Sequence, residues 1–124
     1  MGDQRRVLIV DNDEFVRRAL TRVFRTAGLP VTAVESAAAA ADRLRGSTDV
    51  AVLLTDFDMP GMTGMDLAEW VRREVKAPVL IIGMTGDALR LCRMQEAECF
   101  DHAFLKPFER FKEVLDLISG ACLE

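Results

Sequence analysis

Val7-Leu8-Ile9-Val10-Asp11-Asn12-Asp13-Glu14 places four consecutive apolar residues directly before three acids and one amide. The apolar run has strand length. Runs of the same kind occupy Val31–Val34, Val50–Leu54, Val79–Met84 and Ala103–Leu105, and the segments between them carry helical period. Five strands and five helices follow from that alternation. In the first helical segment Val16, Leu20, Val23, Phe24 and Ala27 share one face, and Gly28 followed by Pro30 ends it. The second has Ser36 as N-cap, an alanine run from Ala37 to Ala41, Leu44 facing inward and Gly46 as stop. Alanine is the best helix former and lets a helix pack close to a sheet. The last helix carries Phe111, Val114, Leu115 and Ile118 on one stripe.

Strands that are apolar throughout and separated by helices belong to a parallel sheet covered on both faces. The expected fold is therefore α/β and doubly wound, a (βα)5 three-layer sandwich. Right-handed crossovers put helices on both sides, and ligands bind at the carboxyl ends of the strands near the topological switch point.

That rule gives the acids of the opening stretch a purpose. Asp11 to Glu14 lie where the first strand runs out, and Asp56 and Asp58 lie where the third does, in Leu54-Thr55-Asp56-Phe57-Asp58-Met59-Pro60-Gly61. Neighbouring strand ends converge into one acidic cup. Packed carboxylates repel and raise each other's pKa unless a cation sits among them, and a hard divalent ion with oxygen ligands, Mg2+ above all, is the natural occupant. Thr85 ends the fourth strand and Lys106 follows the fifth. A metal-binding acid, a carboxylate nucleophile, a hydroxyl donor and an ammonium are what a phosphoryl group needs when it is moved onto aspartate.

Composition narrows the alternatives. At 124 residues the chain forms one domain, residues 1–124, with half its residues apolar. A formal charge of −4 and a pI near 5.1 give no sequence-wide basic field for nucleic acid or an anionic membrane, and the pairs Arg5-Arg6, Arg17-Arg18 and Arg72-Arg73 sit beside acids. Cys92, Cys99 and Cys122 form no CxxC pair and cannot all be paired internally, which favours a reducing compartment and small, partly buried thiols. No apolar stretch approaches the ~20 residues of a membrane helix, and the N-terminus has no hydrophobic signal core. A cytoplasmic location is expected.

At VLIVDND, at the D-x-x-M-P-G-M of Asp56 to Met62 continuing through Thr63-Gly64-Met65-Asp66-Leu67, at Thr85-Gly86 and at Lys106-Pro107-Phe108, the chain resembles the receiver domain of bacterial two-component response regulators. The resemblance spans essentially the whole chain, and the correctly spaced D-x-x-M-P-G and K-P-F elements are far more specific together than alone. It implies the flavodoxin-like strand order 2-1-3-4-5. It makes Asp56 the acceptor of a phosphoryl group from the phosphohistidine of a sensor histidine kinase or phosphotransfer protein, as in a phosphorelay. Asp11, the Asp56 carboxylate and the Asp58 carbonyl would hold Mg2+, with Asn12 also at the metal. Thr85 would bond one phosphoryl oxygen and Lys106 neutralise another. Such a receiver is a signalling module that promotes its own phosphorylation and dephosphorylation, and its output goes to a downstream protein target or a tethered output domain. Lys106-Pro107 would be a cis peptide, a bond where cis is only mildly unfavourable.

Two positions depart from the family pattern. Asn12 stands where the second acid usually touches the metal; its oxygen still coordinates but brings no charge, so weaker Mg2+ binding is expected, with Asp58 or Asp13 restoring the charge through a water. Ala103 stands where many members carry the Tyr or Phe that swings inward behind the threonine, so output is expected from the loop after Thr85 and the Asp87–Glu96 helix, or from the charge change itself. In the fourth strand, counting from Pro78 puts Gly83 at the hydroxyl position, whereas counting from Asp56 and Lys106 puts Thr85 there. The second count has the more specific anchors.

Other residues have plainer readings. Asp13 and Glu14 cap the helix that follows them. His102 is a surface loop residue, Trp70 is core on a Met65–Glu74 helix, Met59, Met62 and Met65 pack the loop, and Met94 and Leu89 belong to an exposed partner surface. Leu123-Glu124 reads as a cloning remnant, which would favour a receiver cut from a larger protein over a stand-alone one. If stand-alone, output would pass through the last two helices and the strand between them. The rival to a phosphorylated switch is a degenerate receiver that binds its partner without phosphate, as Asn12 and Ala103 together suggest. A haloacid-dehalogenase-type phosphatase shares Asp11-x-Asp13, but Glu14-Phe15 lacks its following Thr or Val, and the chain is short for a capping insertion. An EF-hand fails for want of the loop glycine and distal glutamate.

Overall fold

The computed structural model describes residues 5–106 and 111–122. Five strands, β1 (Arg6–Val10), β2 (Val31–Val34), β3 (Val50–Asp56), β4 (Leu80–Thr85) and β5 (His102–Leu105), alternate with α1 (Glu14–Thr26), α2 (Ala37–Leu44), α3 (Gly64–Glu74), α4 (Ala88–Glu96) and α5 (Phe111–Cys122). The strands form one parallel sheet in the order β2-β1-β3-β4-β5.

Because side chains alternate along a strand, each strand serves both layers. Leu8, Val10, Leu53 and Ile81 face α2, α3 and α4, in a core completed by Ala40, Leu44, Leu67, Val71 and Met94. Val7, Ile9, Val52, Leu54, Ile82 and Met84 face the other way, toward Leu20 and Phe24 of α1 and Val114, Ile118 and Cys122 of α5. With both faces covered, no strand has a polar side, hence the continuous apolar runs.

Side-chain caps start the helices at the carboxyl edge of the sheet. Asp13 accepts the Phe15 N–H for α1, Ser36 the Ala39 N–H for α2, and Asp87 those of Leu89 and Arg90 for α4, while Thr63 and Asp66 form a capping box on α3.

Several expectations are corrected by packing. Val23 and Ala27 are exposed, because α1 turns only a narrow stripe inward, where the Phe24 ring lies 6.0 Å from that of Phe111. Met94 is fully buried, and only Leu89, 78% exposed, remains on the outer face of α4. The cause is Gly83. A Cβ there would overlap Met94 Cε and lie 2.9 Å from the Phe100 ring, so only glycine lets α4 seat this closely on β4. Gly83 is thus a packing position, and Thr85 ends the strand. His102 opens β5 and is half-buried, its ring 6.4 Å from that of Phe104 on the same strand face. Trp70 is half-buried, with the Arg45 guanidinium 5.2 Å from its ring centre. Met59 is buried, Met62 exposed, and Met65 lies within α3. Cys99 and Cys122 are buried free thiols and Cys92 is exposed. Pro107 and Phe108, with the expected cis bond, lie outside the described residues.

Candidate functional site

Strand register brings the predicted residues together. Val10 pairs with Thr55 in the centre of the sheet, so the next residues, Asp11 and Asp56, emerge side by side at its carboxyl edge. Asp56 pairs with Met84 and Thr85 with Leu105, which places Thr85 and Lys106 on the same edge. Two further backbone bonds extend the ladder: Phe57 N–H to Met84 O at 2.9 Å and Lys106 N–H to Thr85 O at 2.7 Å.

Asp11 and Thr85 are fully buried and Asp56 almost so. Lys106 bridges the two acids, its Nζ 3.1 Å from Asp11 Oδ2 and 3.3 Å from Asp56 Oδ1. The second Asp11 oxygen accepts the Asp13 N–H at 2.9 Å. Asp56 Oδ1 is buried with no hydrogen bond among the described residues, and the Lys106 charge stands beside it. Burial first, and the Asp11 charge second, push the Asp56 carboxyl above its ordinary pKa, against the pull of Lys106. Burial works to lower the Lys106 pKa, but Asp56 and Asp11 outweigh it and the net shift is upward. The ammonium therefore stays charged.

At the mouth, the Thr85 hydroxyl donates to Asp58 Oδ2 at 3.3 Å and accepts the Asp87 N–H at 3.2 Å. Arg90 pairs with Asp58 Oδ1, its guanidinium 5.7 Å from the centre of the Phe57 ring. Asn12 is exposed at the rim, and the Asp13 carboxylate is used as the α1 cap.

Among the described residues, no three or more His, Cys, Asp or Glu side chains gather as a metal-ligand set. The Asp58 carboxylate is engaged elsewhere, which leaves Asp11 and Asp56. Mg2+ is commonly held by one or two carboxylates with the rest of its shell from water and substrate. An unbonded buried carboxylate oxygen beside a second carboxylate fits such an ion.

Two neighbours were not legible beforehand. Arg90 pairs with Asp58 at the mouth, and Gly64 packs against the Asp56 backbone: a Cβ at Gly64 would overlap the Asp56 carbonyl oxygen and lie 2.9 Å from Phe57 Cα. The sequence signal for Arg90 is its place three residues after the cap Asp87, a position whose side chain leans back toward the strand end.

The family model for the response regulator receiver domain matches residues 7–118. The chain belongs to this family. The chemotaxis protein CheY of Pseudomonas aeruginosa is 30% identical over 125 residues, covering 93% of this chain and 99% of that protein. Nodulation protein W of Bradyrhizobium diazoefficiens is 35% identical over 119 residues, covering 93% of this chain and 50% of that protein. The transcriptional regulatory protein CseB of Streptomyces coelicolor is 30% identical over 110 residues, covering 88% and 46% respectively. The receiver thus spans about half the length of the last two relatives. A response regulator receiver protein from Pseudomonas putida superposes with a TM-score of 0.85 at 23% identity, covering 97% of this chain and 99% of that one. TrrA of Thermotoga maritima, solved in complex with Mg2+ and BeF, gives 0.80 at 22% identity, covering 92% and 98%. These two likenesses establish the flavodoxin-like fold. Receivers are signalling domains of two-component systems, and among the described residues of this one no helix is long and apolar enough to cross a membrane.

Proposed function

We propose that this receiver accepts a phosphoryl group on Asp56 from the phosphohistidine of a sensor kinase or phosphotransfer protein, in a Mg2+-dependent reaction in the cytoplasm, and thereby switches the binding of a protein target or tethered output domain. The observation that carries it is the Asp56 carboxylate, buried with an unbonded oxygen and set between Asp11 and Lys106. A carboxylate so placed at the carboxyl end of β3 is largely stripped of water, as a nucleophile needs.

In the transfer, an Asp56 oxygen forms the new O–P bond as the P–N bond to the donor imidazole breaks, and the imidazole leaves as a neutral base once protonated. Lys106, already within reach of Asp56, offsets charge on the transferred group, and Thr85 offers its hydroxyl to a second oxygen. Asp11, Asp56 and the Asp58 carbonyl would hold Mg2+, with Asn12 at the rim; when bound, the ion neutralises charge between carboxylate and phosphoryl oxygens. Hydrolysis of the acyl phosphate by water at the same site resets the switch, so the receiver promotes its own phosphorylation and dephosphorylation.

The test is intact mass after incubation with Mg2+ and acetyl phosphate, with Asp56→Asn as control. A gain of one phosphoryl group in the wild type alone supports the reading. No gain at any Mg2+ concentration, from folded protein, favours instead a module that binds its partner without phosphate, the reading to which the uncharged Asn12 and the small Ala103 side chain would then belong.

A further inference from the structure

We infer that Arg90 is a positioning residue that holds the Asp58 carboxylate out of the Mg2+ site and ties it to α4, which rests on the reading of the cup as that site and adds a determinant of its metal affinity. Asp58 lies two residues beyond the acceptor, at the mouth, where its side chain can turn inward to supply the charge missing at Asn12 or outward to α4. It turns outward: Oδ1 pairs with Arg90 and Oδ2 accepts the Thr85 hydroxyl. Both holding groups come from the segment Thr85 to Arg90, so one carboxylate joins the cup to the start of α4.

Local structure dictates where Arg90 reaches. Asp87 caps the helix by accepting the Leu89 and Arg90 N–H groups, and side chains in a first helical turn lean toward the N-terminus. The guanidinium is thereby laid over the Phe57 ring, which adds a cation–π contact to the ion pair. Arg90 is thus held from two sides.

The arrangement bears on the switch. Thr85 has a single hydroxyl proton, so it cannot donate to Asp58 and to a phosphoryl oxygen together. When Thr85 turns to a phosphoryl group, Arg90 is left as the sole partner of Asp58 among those seen here. When Arg90 is removed, Asp58 is free to turn inward and adds a third carboxylate to Asp11 and Asp56.

Five unphosphorylated proteins test this: wild type, Arg90→Ala, Arg90→Lys, Asp58→Asn and the Arg90→Ala/Asp58→Asn double variant, each confirmed folded by thermal melting and titrated with MgCl2 by calorimetry. Arg90→Ala is expected to tighten Mg2+ binding by about 3- to 10-fold, as ligand charge tunes such sites. In the Asp58→Asn background the same change is expected to do little, and Arg90→Lys to keep most of the wild-type value. Amide exchange in residues 88–96 is expected to quicken in Arg90→Ala. Unchanged affinity, or equal tightening with and without Asp58, overturns the inference, the latter because it would mark Arg90 as a distant charge only. Phosphorylation is read separately by mass: failure there with the Arg90 effect intact overturns the phosphoacceptor reading alone, whereas absence of Mg2+ binding in the wild type itself overturns both.

Discussion

The Lys106 ammonium lies 3.1 Å from Asp11 Oδ2 across 95 positions of sequence, and the same nitrogen reaches Asp56. One cation therefore offsets two buried carboxylates. Replacing Lys106 with Met leaves them facing each other uncompensated, and a loss on the order of 1–3 kcal/mol is expected near neutral pH. Urea unfolding measures it. Millimolar Mg2+ should recover more stability in the variant than in the wild type; equal recovery would show that the ion does not substitute for the ammonium. Because the acids lift the Lys106 pKa, its contribution is complete below the ordinary lysine value and is lost as pH rises through the lifted one.

Asp56 works against the fold that holds it. Its folded pKa is raised, chiefly by burial and then by Asp11, so the folded state binds its proton more tightly than the unfolded state does. Stability from this group then falls as pH rises from the ordinary carboxylate range through the raised pKa, and the full cost is present above it. Asp56→Asn should be more stable than the wild type at pH 7 by on the order of 1 kcal/mol, with the difference shrinking in acid. Thermal melts at pH 4 and pH 7 compare them.

Asp49 behaves in the opposite sense. Arg43 holds its carboxyl down to about 2, with help from Ser47 and Arg6 and against the effect of burial. Its contribution is present above the unfolded pKa and is lost as pH falls through that range toward about 2. The side chain is 46% exposed, so screening keeps the effect below about 1 kcal/mol. An Asp49→Asn variant should show a flatter urea midpoint between pH 4 and pH 2.

Two glycines should respond differently to alanine. At Gly83 the obstruction is in part the end of the flexible Met94 side chain, and a cost of about 1–2 kcal/mol is expected. At Gly64 it is the backbone of Asp56 and Phe57, which cannot step aside without moving α3 away from the end of β3. Gly64→Ala should therefore cost more, about 2–4 kcal/mol, and also lower the rate of phosphorylation by acetyl phosphate. A larger stability loss at Gly83 would contradict this packing.

How much was readable follows from the range of each interaction. The apolar runs ending in Val10, Leu54 and Met84 show in a few residues, because a strand covered on both faces has no polar side to interrupt it. That local pattern, with chain connectivity, called for a parallel sheet with Asp11, Asp56, Thr85 and Lys106 at one edge, while the strand order came from the family resemblance. The α1 stripe was overextended to Val23 and Ala27, since periodicity marks a face but not how wide a strip the neighbouring helix covers.

Contacts between distant residues decided the rest. Met94 is buried only because Gly83, 11 positions earlier and on another element, has no side chain, and no property of Met94 itself announces that. Asp58 points toward α4 because Arg90, 32 positions away, waits there on a helix whose depth Gly83 has set. The sequence by itself determined which elements form and which chemistry their ends carry, because hydrophobic period and strand termini are local properties. Tertiary structure alone decided how each carboxylate is shared among its partners, because direction and burial depend on the helix that packs across it.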